Sequence, residues 1–144
     1  MRTHRAHKNW LLVSAFVIGA FGPVFALGAV AATSAPAQWT LDLLSWPIDG
    51  QPEFGADTTR FLSALTGGFL LGWGVMVLCL RGWAYDLAPD GVRRSLVVAA
   101  SAWFLLDSAG SIASGNPSNA LFNVVVLLLV IGPLWVPAKP RIEQ

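Results

Sequence analysis

Four stretches of the chain carry almost no charge over the length needed to cross a bilayer. They run from about Trp10 to Ala32, Phe61 to Leu80, Ser95 to Ala113 and Asn119 to Val136, and the third contains a single aspartate, Asp107. Crossing about 30 Å of hydrocarbon takes roughly 17 to 25 helical residues. The pattern therefore predicts an all-α fold, an integral membrane four-helix bundle, with residues 1–144 forming one transmembrane domain.

Between the first two spans, Gln38 to Trp46 puts Trp39, Leu43 and Trp46 on one helical face and Asp42 and Ser45 on another. This predicts a short interfacial helix in the first loop, ended by Pro47. Ile48 to Gly55 then reads as irregular and turn-rich. Inside the first span, Pro23 is expected to bend the helix and free a carbonyl.

Composition agrees with the periodicity. Of 144 residues, 55% are hydrophobic and 12% charged, with a mean hydropathy of +0.61, an apolar surplus that must face lipid. The net charge of +1 hides an asymmetry. Arg2, Arg5 and Lys8 precede the first span, Arg81, Arg93 and Arg94 lie between the second and third, and Lys139 and Arg141 follow the fourth. Only Arg60 falls on the other side, with Asp42, Asp49, Glu53 and Asp57. Basic flanks resist translocation, so the expected location is a bacterial inner membrane with both ends cytoplasmic. The charge distribution concerns topology and anionic lipid, and gives no reason to expect a nucleic-acid partner.

The basic head, apolar run and small residues Ala29-Val30-Ala31 or Ala35-Pro36-Ala37 also fit a cleaved secretory signal, which would leave three helices. The apolar run exceeds the about 7 to 15 residues of a signal core. A retained first helix also makes an even number of spans agree with the basic C-terminal tail.

Candidate chemistry is sparse. Cys79 stands alone, so no internal disulfide or CxxC motif exists, and it reads as a small packing residue. The histidines, His4 and His7, both lie in the basic head, which argues against a membrane-embedded bis-His haem or a His-rich metal centre. No Ser/His/Asp arrangement, phosphate loop or dinucleotide fingerprint occurs, and Asp86 and Asp90 read as solvated loop residues. No cofactor is expected, and an enzyme is the less favoured class.

Helices in lipid pack through small residues. Gly68 and Gly72 form a GxxxG pair expected to serve packing within the bundle, with dimerisation as the alternative. Arg60, Ser63, Ala64, Gly67 and Gly74 fall on a neighbouring stripe. Trp10, Trp39, Trp46, Trp83, Tyr85 and Trp135 fall near span boundaries and read as an interfacial belt. Trp73 and Trp103 lie deeper, as filler or as a pocket lining.

Asp107 is the most informative residue, because a carboxylate inside a membrane helix costs at least about 2.5 kcal/mol and marks a candidate functional site. Ser111 and Ser114 share its face, and at about 1.5 Å per residue it lies roughly 9 Å below the outer end of its helix. Arg60 is expected to reach down to it from the second span, and Asn119 and Asn123 enter the fourth span at similar depth. Arg60, Asp107, Ser111, Asn119 and Asn123 thus form either a polar pocket open to the outer side or a hydrogen-bonded clamp that sets helix register.

The segments LLSWPIDG at Leu43–Gly50, GGFLLGWG at Gly67–Gly74, WFLLDSAGS at Trp103–Ser111 and SGNPSN at Ser114–Asn119, with Arg60 and Asn123, resemble a group of uncharacterised bacterial four-span membrane proteins. More distantly, they resemble the DoxX-like four-helix membrane proteins. The resemblance covers roughly Trp39 to Trp135 and implies the four-helix fold. It marks Arg60, Asp107, Asn119 and Asn123 as positions to test, and supplies no substrate. Three function classes follow: the leading one is a non-catalytic accessory or assembly subunit of a membrane complex or a homo-oligomer, the alternative is a binding or transport protein for a small hydrophobic or protonatable ligand, and a redox or lipid-modifying membrane enzyme comes third.

Overall fold

The computed structural model describes residues 2–50 and 54–137. Glu53, Lys139 and Arg141, used above to orient the loops, lie outside the described residues. Within them are four helices long and apolar enough to cross a membrane: Thr3–Leu27, Asp57–Ala84, Pro89–Ala113 and Pro117–Trp135. The chain is an all-α, multi-pass membrane protein. Its outer surface is apolar, with Phe16, Phe69 and Leu106 exposed by 73%, 71% and 79%.

The first span is two helices, α1 (Arg2–Gly19) and α2 (Phe21–Leu27), broken at Ala20. Pro23 explains the position of the break. It has no N–H for the carbonyl of Gly19, four residues back, and its ring crowds that carbonyl. A 3₁₀ turn at Ala31–Thr33 leads into α3 (Ala35–Leu44), and α4 (Asp57–Cys79) follows the loop. A π turn at Leu80–Ala84 extends α4, and α5 (Pro89–Ala113) and α6 (Pro117–Ile131) complete the bundle before a 3₁₀ turn at Gly132–Trp135. Both α5 and α6 carry proline in their first turn, where its fixed φ helps and its missing N–H costs nothing. The spans therefore begin a few residues earlier than the apolar runs indicate, and in α5 and α6 the start is marked by proline rather than by hydropathy.

Helix α4 packs on α1 and α2, and α6 packs on α5 and α1. The α4 seam is built from glycine against backbone. A Cβ on Gly67 would lie 2.5 Å from the Ala26 nitrogen and 2.6 Å from the Gly22 oxygen, and one on Gly74 would lie 2.7 Å from the Gly19 Cα. Ser63, one helical turn from Gly67, donates to the Phe25 carbonyl at 2.7 Å. Gly68 and Gly72 meet nothing within 4 Å, which corrects the expectation that the GxxxG pair packs inside the bundle. The neighbouring stripe of Ser63, Gly67 and Gly74 does so instead, because it is the buried face of α4.

Two hydrogen bonds lock α1 to α6. Pro133 leaves the Leu129 carbonyl without its usual donor, and the Trp10 indole supplies one at 3.1 Å. Ser14 donates to the next carbonyl, that of Val130, at 2.7 Å. Gly132, with φ at +41°, lets the chain turn beneath Trp10, whose ring would lie 2.2 Å from any added Cβ.

Polar residues knot one end of the bundle. His4, at 3.0 Å, and Lys8 both bind the Asp86 carboxylate, Arg81 donates to the Lys8 carbonyl, and Asp90 pairs with Arg93 and Arg94. Buried Arg93 also donates to the Leu134 carbonyl at 2.9 Å. Asp86 and Asp90 are thus ion-paired rather than simply solvated. Tyr85 is fully buried and stacks near His4, so it leaves the interfacial belt. Trp39, Trp46, Trp83 and Trp135 are exposed, as a belt requires.

The hydrogen bonds from Lys8 and then His4 hold the Asp86 carboxyl below the usual carboxylate range. A folded-state value below the unfolded one makes this contribution present at neutral pH and lost as pH falls through the folded value. Hydrogen exchange over residues 3–9 is expected to stay slow through mildly acidic pH and to quicken only below the ordinary carboxylate range. Asp86→Asn should show the faster exchange already at neutral pH. Equal exchange in the variant and the parent would refute the anchoring role.

At the opposite end, α3 caps the bundle. The buried Asp42 carboxylate accepts the backbone N–H groups of Asp49 and Gly50, each at 3.1 Å, and folds the loop back beneath the helix. Ser118 donates to the Leu44 carbonyl at 2.6 Å and accepts from the Trp46 N–H, pinning the end of α3 to the α5–α6 turn. Phe54 is buried against Ala37 and the open face of Gly28.

Candidate functional site

Below the cap, the gap between α4 and α5 is not filled by side chains. A cavity of about 210 Å³ remains, with walls from α1, α2, α4, α5 and α6 and Leu44 of α3 at its capped end. Phe21, Phe25 and Phe122 line it, as do Trp73 and Trp103, whose rings meet edge to face with centroids 6.2 Å apart. The filler reading of these two tryptophans is thereby corrected: they face a pocket.

Asp107 supplies the acidic part of the wall. Its Oδ2 accepts from Asn123 Nδ2 at 2.8 Å and from Asn119 Nδ2 at 3.4 Å. The same amide groups engage two hydroxyls: Asn119 donates to Ser111 Oγ at 2.7 Å, and Asn123 to Ser108 Oγ at 3.2 Å. Ser111 donates in turn to the Asp107 carbonyl at 2.7 Å, the ordinary back-bond of a helical serine. Asn123 and both serines are buried, whereas Asp107 is only half-buried. Among the described residues no donor reaches Asp107 Oδ1, and no Lys, Arg or His pairs with the carboxylate.

No family model, curated protein or solved structure matches the chain.

Of the five residues read from the sequence, the structure brings together Asp107, Ser111, Asn119 and Asn123. Arg60 stands apart, pairing with Asp57 three residues earlier in the first turn of α4. The reason is the packing order. α4 leans on α1 and α2, whereas the helix that lies against α5 is α6, so the asparagines of α6 reach Asp107 and the arginine of α4 does not. Ser108 was not expected, because it sits about 100° round the helix from Asp107. Asn123 enters between the two faces and bonds to both.

Trp103 and Asp107 also border a shallower groove on the flank of α5, with Leu106, Gly110, Ser111 and Ser114. The carboxylate thus stands between an internal cavity and the lateral surface of the bundle. Among the described residues, no group of three His, Cys, Asp or Glu side chains gathers at a metal-binding spacing.

Proposed function

We propose that this chain binds, and by extension moves, a small hydrophobic or protonatable ligand in a pocket of the outer leaflet of a bacterial inner membrane, with both chain ends cytoplasmic. The carrying observation is that Asp107 faces an aromatic-lined cavity with one carboxylate oxygen that receives no donor among the described residues. A clamp whose only task is helix register needs no aromatic-lined space beside its carboxylate. The orientation rests on the loop cations: among the described residues Arg5, Lys8, Arg81, Arg93 and Arg94 flank the end where His4, Lys8 and Asp86 meet, while Arg60 flanks the other.

The test is native mass spectrometry of the wild type and Asp107→Ala released from nanodiscs. A small molecule retained by the wild type and lost by the variant is the expected result. A ligand-free chain in both, with Asp107→Ala only less stable, would return the cluster to a structural role.

A second reading, an accessory subunit or a homo-oligomer, draws on one specific observation. Gly68 and Gly72 lie open on the lipid-facing side of α4, where a second helix could approach closely. Stoichiometric protein partners or a dimer mass in the same spectra would favour it.

A further inference from the structure

We propose that the ligand of the Asp107 cavity is a small hydrophobic organic cation, an amine or quaternary ammonium carrying one positive charge. The inference rests on the small-molecule reading above and narrows it to a chemical class.

Charge is the first argument. Among the described residues the walls of the cavity contribute one carboxylate and no basic side chain, and the nearest charge expected from the sequence, Arg60, is held by Asp57. A carboxylate in apolar surroundings needs a counter-charge or a set of donors. Here two amides serve Oδ2 and nothing among the described residues serves Oδ1. A cationic ligand completes that half of the site.

Wall chemistry is the second. Phe21, Trp73, Trp103 and Phe122 line the same space, and the negative face of an aromatic ring attracts a cation, tryptophan most strongly. A neutral hydrocarbon would gain the apolar contact alone. Inorganic cations fit poorly, because they demand several oxygen ligands, whereas Asn119 and Asn123 turn their N–H groups toward the carboxylate.

Access is the third. The flank groove shares Trp103 and Asp107 with the cavity, so an amphiphile dissolved in the bilayer meets the carboxylate without crossing the cap.

The experiment compares benzyltrimethylammonium with its uncharged isostere, neopentylbenzene, on the full chain in nanodiscs, with empty nanodiscs correcting for partition. Wild type is expected to bind the cation saturably and at least about tenfold more tightly than the isostere, since Asp107 offers a charged partner that only the cation can use. Asp107→Asn should lose that preference while still binding the isostere, which also reports an intact pocket. Asp107→Glu should restore part of it, and Trp73→Leu should weaken the cation more than the isostere. Equal affinity for the two compounds, or cation binding unchanged in Asp107→Asn, would overturn the cation assignment and leave a neutral-ligand pocket standing. If neither compound saturates the wild type, the cation assignment fails. The pocket reading is then decided separately by the retained small molecule in native spectra.

Discussion

Gly67→Val is expected to cost the bundle about 3 kcal/mol or more, while Gly68→Val, one residue on, leaves the monomer's stability within about 0.5 kcal/mol of the parent. The two positions are chemically alike and differ only in what they face. At Gly67 the nearest atoms to an added Cβ are backbone, the Ala26 nitrogen and the Gly22 oxygen, so no rotamer change relieves the overlap. The α2–α4 seam must open, and the Ser63 to Phe25 hydrogen bond goes with it. At Gly68 the space is empty within 4 Å. Denaturant or thermal unfolding in mild detergent reads the difference directly. Matching midpoints for the two variants would mean that the seam does not hold the first span to the second. A Gly68→Val chain that stays folded but loses a dimer would instead support the oligomer reading.

Asp42→Ala is expected to release the cap without unfolding the bundle. The Asp42 carboxylate is the acceptor for the Asp49 and Gly50 N–H groups in a buried setting, and hydrogen bonds to a charged group are worth about 1.5 to 3 kcal/mol each. Loss of about 2 kcal/mol of local stability corresponds to amide exchange at Asp49 and Gly50 on the order of 30 times faster. Asp42→Asn keeps one acceptor oxygen and should fall between. Exchange in the spans themselves should not change, because α4 remains seated on α1 and α2. If exchange in the loop is unaffected, the cap is held by Ser118 and Phe54 alone. Since Leu44 at the end of α3 closes one side of the cavity, the same variant also tests whether the cap limits ligand access.

The two glycine stripes of α4 show where pattern reading reaches its limit. Gly68 and Gly72 carry the motif, yet Ser63, Gly67 and Gly74 carry the contact. Spacing reports which residues share a face of a helix, and it does not report which face turns inward when every face is apolar enough for lipid. In a soluble helix the polar side breaks that tie. Below Arg60, α4 carries no charge, only the small hydroxyls of Ser63 and Thr66, which are too weak a signal to break it.

Asp107 is the opposite case. A lone carboxylate in a charge-free run announces itself, and Ser111, Asn119 and Asn123 follow from helical spacing and a tight turn, which suffice because α5 and α6 are sequence neighbours and pack together. Arg60 was misplaced by the same reasoning, since reaching Asp107 from α4 depends on the order of helices around the bundle. The knot of His4, Lys8, Tyr85 and Asp86 joins residues about eighty positions apart, so nothing local signalled it.

The sequence by itself determined the all-α class, the four spans, the break near Pro23, the short helix after the first span and the polar residues shared by α5 and α6. Each depends on charge, backbone chemistry or periodicity within one or two adjacent helices. Tertiary structure alone decided which glycines meet, that Arg60 stays with Asp57, that Tyr85 is buried, and that Trp73 and Trp103 face a cavity beside Asp107. Those facts depend on how apolar helices are arranged around one another. In lipid that arrangement is set by close backbone contact and a few interhelical hydrogen bonds, which hydrophobic pattern does not encode.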